Sequence, residues 1–375
     1  MIKSQNKIEK LIAERCSSGV EFKCFSNLLH DKTVTTITPS KKLAKKYYNL
    51  EGKFPIVDQG QNFIVGYTND EISVIENGEY VIFGDHTEAI KYIDFSFAQG
   101  ADGIKILKTD RSTLHPKYLY YALNNFYLKI GKYTRHFSFL KKTIIPIPPI
   151  PIQQEIVKIL DSFTELEAKL EAELEARIKQ YEYYRRDLLN YKQEVKWVQL
   201  RDIADIKTGQ SIGDFEILNT GQYPYINAGI EASGYLEESN SEPETITIPS
   251  RGQGGAGHVG YQKRKFWCGS LCYRIQSCSN EMTTKFIYYY LKDIQDAIIG
   301  LRQTGSIPAV NKKELEFVKI PMPNITKQRE IVSILDKFDA LVNDISIGLP
   351  AELKARHQQY EYYRNKLLTF KEYGK

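Results

Sequence analysis

From Gln153 to about Tyr191 the chain holds neither glycine nor proline. Along it Ile156, Leu160, Phe163, Leu166, Leu170, Leu174, Ile178, Tyr181 and Leu188 recur at three- and four-residue steps. That period lays one apolar stripe along a helix, and about 39 residues predict a rod of roughly 55–60 Å. A second stretch, from Gln328 to about Phe370, has the same character but contains Gly348 and Pro350, where the proline should bend or interrupt it. Ile8, Leu11 and Ile12 on one face predict a third, shorter helix over residues 1–19. Between the helices the period changes. ISVIENGEYVIFGD (from Ile72) and ETITIPSRGQGG (from Glu244) alternate short apolar runs with Gly, Asn and Pro turns. That pattern predicts strand-rich mixed units with one or two short helices each, such as 116–130.

The patterns occur twice. QQEIVKILDSF (from Gln153) returns as QREIVSILDKF (from Gln328), 175 residues on. IPIP at Ile145–Pro148 returns as IPMP at Ile320–Pro323, and VEFKCFSNL (from Val20) aligns with VKWVQLRDI (from Val195), both at the same offset. FPIVDQG (from Phe54) resembles YPYINAG (from Tyr223), and YLYYALNN (from Tyr118) resembles FIYYYLKD (from Phe286). QYEYYR stands at Gln180–Arg185 and again at Gln359–Arg364, now 179 apart. Chance does not produce an ordered series of this kind, so the chain is an internal duplication. It divides into an N-terminal helix (1–19), a globular unit (20–150), a central long helix (151–194), a second globular unit (195–323) and a C-terminal long helix (324–375). The fold class is α+β. Two mixed α/β units are separated by two long antiparallel helices forming a coiled coil, a pseudo-twofold internal repeat. The Ile/Pro runs should be stiff exits, because proline cannot continue a strand ladder. The four extra residues of the second helix, about one turn, keep its stripe in phase. The N-terminal helix is expected to stand in for a missing continuation of the last one.

Composition narrows the picture modestly. With 42% hydrophobic and 26% charged residues, 375 residues suffice for two full cores. Prolines 146, 148, 149 and 151 break the longest apolar run, the N-terminus is polar, and five cysteines have no framework spacing. A cytoplasmic protein without a membrane partner is expected. Net charge is +5. Residues 20–150 carry 17 Lys+Arg against 13 Asp+Glu, residues 195–323 carry 14 against 14, and residues 151–194 carry 7 against 10. The first unit is therefore basic and the helix behind it acidic, which is compatible with nucleic-acid binding.

The paired QxEIVxILDxF and QYEYYR motifs, the Ile-Pro-x-Pro runs and the Gly348-Leu349-Pro350-Ala351-Glu352 segment resemble the specificity subunit of type I restriction–modification systems. The resemblance spans essentially the whole chain. It implies that the globular units are target-recognition domains, each reading one half of a bipartite, asymmetric site in double-stranded DNA. The helices would space them and dock methyltransferase (modification) subunits, to which restriction/translocase subunits add. The central helix lacks the Gly-Leu-Pro segment, so the two helical copies are not interchangeable. A two-headed DNA-binding or scaffold protein outside restriction is the alternative.

Enzymatic signatures are missing from the sequence. It has no Asn/Asp-Pro-Pro-aromatic tetrapeptide to hold a flipped base and no phosphate loop ending in Gly-Lys-Ser/Thr. Glu-x-Lys occurs only as often as a charged chain requires. A non-catalytic subunit without cofactor or metal is expected. Cys268, Cys272, Cys278 and His258 lack zinc-ligand spacing, and WCGSLCYRI reads as a strand with core thiols. For DNA contact, Arg251, Gln253 and His258 surround a glycine-rich loop and are followed by Lys263, Arg264 and Lys265. Glycines admit close backbone approach, Arg and Gln match guanine and adenine edges, and lysines hold phosphates. Arg302, Gln303 and Ser306 form a second candidate group. In the first unit Lys41, Lys42, Lys45 and Lys46 are candidate phosphate contacts, and Arg135, His136 and Ser138 candidate base readers. The QYEYYR tyrosines are expected to pack against helices or a partner subunit.

Overall fold

The described residues in the computed structural model are 2–100, 103–191, 195–303, 307–343 and 347–374, with side chains from Ile8 onward. The chain forms two compact units, Met1–Leu170 with Leu353–Lys375, and Glu171–Glu352. One boundary lies inside the central helix, Ile150–Leu189, and the other inside the last helix, Leu349–Leu368.

In the first unit an antiparallel sheet orders its strands Val34–Ile37, Ile104–Thr109, Tyr80–Gly84, Ile90–Ile93. A second, mixed sheet orders Gly66–Thr68, Phe54–Val57, Phe97–Gln99, Val74–Ile75. In the second unit the corresponding sheets are Ala204–Thr208, Cys272–Ser277, Thr245–Pro249, Gly260–Gln262 and Tyr235–Leu236, Tyr223–Ile226, Trp267–Cys268. FPIV and YPYI thus occupy one place: Ile56 and Val57 pair in parallel with Ala98 and Gln99, and Tyr225 and Ile226 with Trp267 and Cys268.

The repeated motifs turn out to be joints. Helix Pro116–Phe126 in the first unit and Thr284–Asp293 in the second are held to the long helices by the same two side chains. Gln153, fully buried, accepts from the His115 N–H (2.8 Å) and donates to the Thr113 and Pro148 carbonyls. Gln328, also fully buried, accepts from the Thr283 N–H (3.0 Å) and donates to the Glu281 and Pro323 carbonyls. Asp161 accepts from the Tyr121 hydroxyl (2.6 Å) and Lys117 (2.9 Å), as Asp336 does from Tyr289 (2.5 Å) and Lys285 (2.9 Å). Burial, and then the carboxylate alongside, pushes both hydroxyls far above the ordinary tyrosine range, so they stay protonated as donors.

Two expectations are corrected and one, an interruption near Pro350, is met. The Ile/Pro runs are strands, not exits: Ile144–Ile147 pairs with Glu21–Cys24, and Lys319–Met322 with Lys196–Gln199. Phe22 faces Pro146 and Trp197 faces Pro321. Each ladder has only two strands, so each strand is an edge, where a residue lacking an N–H is tolerated. The interruption expected around Gly348 and Pro350 is present: the C-terminal stretch is two helices, Ile325–Asn343 and Leu349–Leu368. Pro350 does not bend a continuous rod; it sits in the first turn of the last helix, where its missing N–H needs no partner.

The second correction is that the N-terminal helix, Ile2–Arg15, is not the substitute for a helix continuation. The last helix itself supplies it. In the second unit Tyr184 of the central helix stacks on Phe338 (5.5 Å), and Arg185 bonds Asp293 (3.2 Å). In the first unit Tyr363 stacks on Phe163 (5.3 Å), and Arg364 bonds Asn125 (3.4 Å). The second QYEYYR therefore serves the first unit, and the first serves the second. The chain then ends beside its first strand, with the Val20 N–H donating to the Lys371 carbonyl and the Tyr373 N–H to the Val20 carbonyl. Ile8 joins the first unit's core, and Ile8 and Ile12 line a small apolar cavity there with Ile159, Phe163 and Leu367.

Candidate nucleic-acid interface

In the second unit the hairpin Thr245–Pro249/Gly260–Gln262 carries the glycine-rich loop. Its backbone is clamped by the segment before helix Lys312–Glu316: the Gly252 N–H donates to the Pro308 carbonyl (3.1 Å) and the Val310 N–H to the Ser250 carbonyl (2.8 Å). Arg251 and Gln303 both bridge to Ala309. Arg302 directs Nε (2.7 Å) and Nη2 at the Ala256 carbonyl, so part of its guanidinium shapes the loop. A Cβ on Gly255 would stand 2.1 Å from the Ala228 carbonyl oxygen, and Gly257 has φ +76°. These positions need glycine. The structure thus unites two groups that are far apart in sequence, placing exposed Arg251, Gln253 and Gln303 around one loop. Half-buried His258 joins them; burial first, then Lys292, lowers its pKa, leaving a neutral ring that both donates and accepts. Ser306 lies outside the described residues.

Lys263, Arg264 and Lys265 separate from this group. An antiparallel hairpin returns the chain to its starting end, and here Thr245 faces Gln262. Lys263 lies 3.8 Å from Asp339 and Lys265 lies 3.3 Å from Glu242. Exposed Arg264 has no such partner among the described residues. Cys268 and Cys272 are buried with Ile226 and Phe266, whereas Cys278 is exposed. Among the described residues no group of His, Cys, Asp and Glu could hold a metal ion.

In the first unit the corresponding hairpin loop is short, Asp85–Ala89. The sequence signalled nothing there, because the loop lacks a glycine run. As in the second unit, the turn after the FPIV strand abuts it: Gln59 Oε1 accepts from the His86 N–H (3.1 Å). Lys91 is buried and donates to the Asp58 (2.9 Å) and Asn62 (2.6 Å) carbonyls, pinning that turn. Lys45 and Gln61 line an open cleft of about 640 Å³ beside it.

The candidate residues of this unit fare unequally. Lys41 is already opposed by Asp70 (2.5 Å), and Lys46 lies over the Tyr47 ring (5.0 Å). Lys42 and Lys45 are exposed. Arg135 is exposed, and Ser138 Oγ caps the Arg135 carbonyl (3.1 Å). His136 is corrected: it is 1% exposed, its Nδ1 lies 3.1 Å from Glu88, and it has no route to a base. Glu88, itself buried, accepts from the Tyr127 hydroxyl (2.8 Å) and the Ile130 (2.7 Å) and Gly131 (2.9 Å) N–H groups. Burial drives its carboxyl up, but those donors and His136 outweigh that and hold it below the usual carboxylate range. Residues 128–133, which the sequence reading passed over, are all exposed. A signal existed. Residues 111–154 contain seven Lys/Arg and no Asp or Glu, whereas residues 20–110 carry ten against thirteen.

Two copies of one frame each present a different set of polar and cationic loops, the build of a recognition protein and not of an enzyme with one active centre. The chain belongs to the family described as type I restriction modification DNA specificity domain, whose profile matches residues 32–180 and 192–355. Specificity subunits of these systems are non-catalytic DNA-recognition subunits, and this chain is one. The Escherichia coli type I restriction enzyme EcoR124I/EcoR124II specificity subunit is 34% identical over 370 residues, covering 88% of this chain and 91% of the relative. The fold matches that of the crystal structure of an M. genitalium type I S subunit, with TM-score 0.69 at 21% identity over 93% of this chain and 96% of that one. A chain from a structure of type I system complex assembly and conformational transition gives 0.52 at 15% identity, covering 93% and 97%. No helix among the described residues is long and apolar enough to cross a membrane.

Proposed function

We propose that each unit reads one half of a bipartite, asymmetric site in double-stranded DNA. Arg251, Gln253, His258 and Gln303 read edges in one half; Arg135, with Lys42, Lys45 and Lys46, contacts the other. The long helices set the distance between half-sites and dock methyltransferase subunits, to which restriction subunits are added. One observation carries the reading: the joints at Gln153/Gln328 and Asp161/Asp336 are the same, while the loops differ in length, composition and charge. A constant frame under divergent loops suits two different half-sites, because base readout depends on side chains at loop positions while the frame fixes register. Mapping methylated adenines in cells that carry the system tests this. Two unlike half-sites with a fixed spacer are expected; a continuous site, or a perfect palindrome, would count against it.

A further inference from the structure

The loop that Glu88 holds is the strongest feature left without a role. Leu128, Lys129, Ile130, Gly131, Lys132, Tyr133 and Arg135 all face solvent, and Tyr133 is 88% exposed. The three cations have no ion-pair partner among the described residues, unlike Lys41, Lys53 or Lys117, each of which lies within 3 Å of a carboxylate. The loop is nevertheless built. Glu88 takes a left-handed φ of 57°, which costs a non-glycine residue energy, and from there ties down its stem through three donors. Tyr133 stacks on His86 at the tip of the hairpin loop (5.3 Å, planes 16° apart). Lys141 and Lys142 continue the positive surface over the rings of Phe137 and Phe139. A cationic loop tied at its stem, beside a stacked aromatic pair, suits a phosphate backbone, which draws cations through counterion release. In the second unit the stretch after helix Thr284–Asp293 mixes its cations Arg302, Lys312 and Lys313 with Asp296, Glu314 and Glu316.

We propose that residues 128–135 are the principal DNA-backbone grip of the first unit, positioned by Glu88, and that the Lys41–Lys46 run is secondary. This rests on the DNA-reading function above. The test measures binding of the full chain to a cognate and a scrambled duplex over a series of salt concentrations. Lys129→Ala, Lys132→Ala and Arg135→Ala combined should lower affinity for both duplexes and reduce the log–log salt slope by about 2.7, at roughly 0.9 per lost phosphate contact. Lys41→Ala with Lys45→Ala should reduce it by less than about 1. An unchanged slope in the triple variant, or a larger drop in the lysine pair, would overturn the assignment. A wild-type chain with no preference for the cognate duplex would instead sink the DNA-reading function itself. Glu88→Gln should open the Ile130 and Gly131 amides to hydrogen exchange and shift the slope in the same direction. Amides that stayed protected would remove Glu88 from the scheme.

Discussion

Gln153 and Gln328 are the first residues of the repeated QxEIVxILDxF motif and have no exposed surface. Each pairs with three backbone groups, of which the Pro148 or Pro323 carbonyl is buried and would cost roughly 1–3 kcal/mol if left unpaired. The motif was legible in sequence; its task was not, because a buried amide and a solvated one look alike as letters. His136 shows the reverse error. It stands beside exposed Arg135, yet one step along the chain turned it inward to Glu88. Arg251 remains exposed beside a loop fixed by glycines. Arg251→Ala is expected to relax preference at one or two positions of a single half-site, by about 1–3 kcal/mol if the contact is bidentate. Competition among singly substituted duplexes measures this. Equal weakening at every position would make Arg251 a phosphate contact.

At the scale of elements, hydrophobic period found the helices well. The central helix runs for 40 residues, about 60 Å. Period could not say which half of it faces which partner. Ile156, Leu160 and Phe163 join the first unit's core, and Leu174, Tyr181 and Leu189 the second's. If this helix sets the spacing of half-sites, a four-residue insertion near Ala172 adds one turn, roughly 6 Å. It should keep the stripe in phase and lengthen the recognised spacer by about two base pairs at about 3.4 Å each. A two-residue insertion should rotate the stripe and abolish specific binding. Selection from a library of spacer lengths reads the outcome. Recognition of only the original spacing by the longer variant would rule out the helix as a ruler.

For the whole molecule, the decisive fact is that the first unit is closed by the chain's far end. Deleting Leu353–Lys375 removes Tyr360, Tyr363, Leu367 and Leu368 from its core, whereas all residues of the second unit, Glu171–Glu352, are kept. The two buried leucines alone are worth about 1.5–3 kcal/mol each, a large share of a domain's usual margin of about 5–15 kcal/mol. Limited proteolysis of the truncated chain should destroy residues 1–170 and leave 171–352 as the resistant fragment. A resistant 1–170, or loss of 171–352, would refute this partition.

Sequence by itself determined the duplication, the helical stretches and the family, because these depend on local period and on letters repeated at a constant offset. Loop glycines were also legible, since their requirement is local backbone geometry. Only the tertiary structure decided that the second QYEYYR completes the first unit and that the Ile-Pro runs are edge strands. It alone showed that Arg251 and Gln303 both bridge to Ala309, and that Lys41 is paired with Asp70 while Lys129, Lys132 and Arg135 have no ion-pair partner among the described residues. Each of these depends on which residues, from 29 to 239 positions apart, are brought within a few ångströms. Neither hydrophobic period nor net charge records that distance.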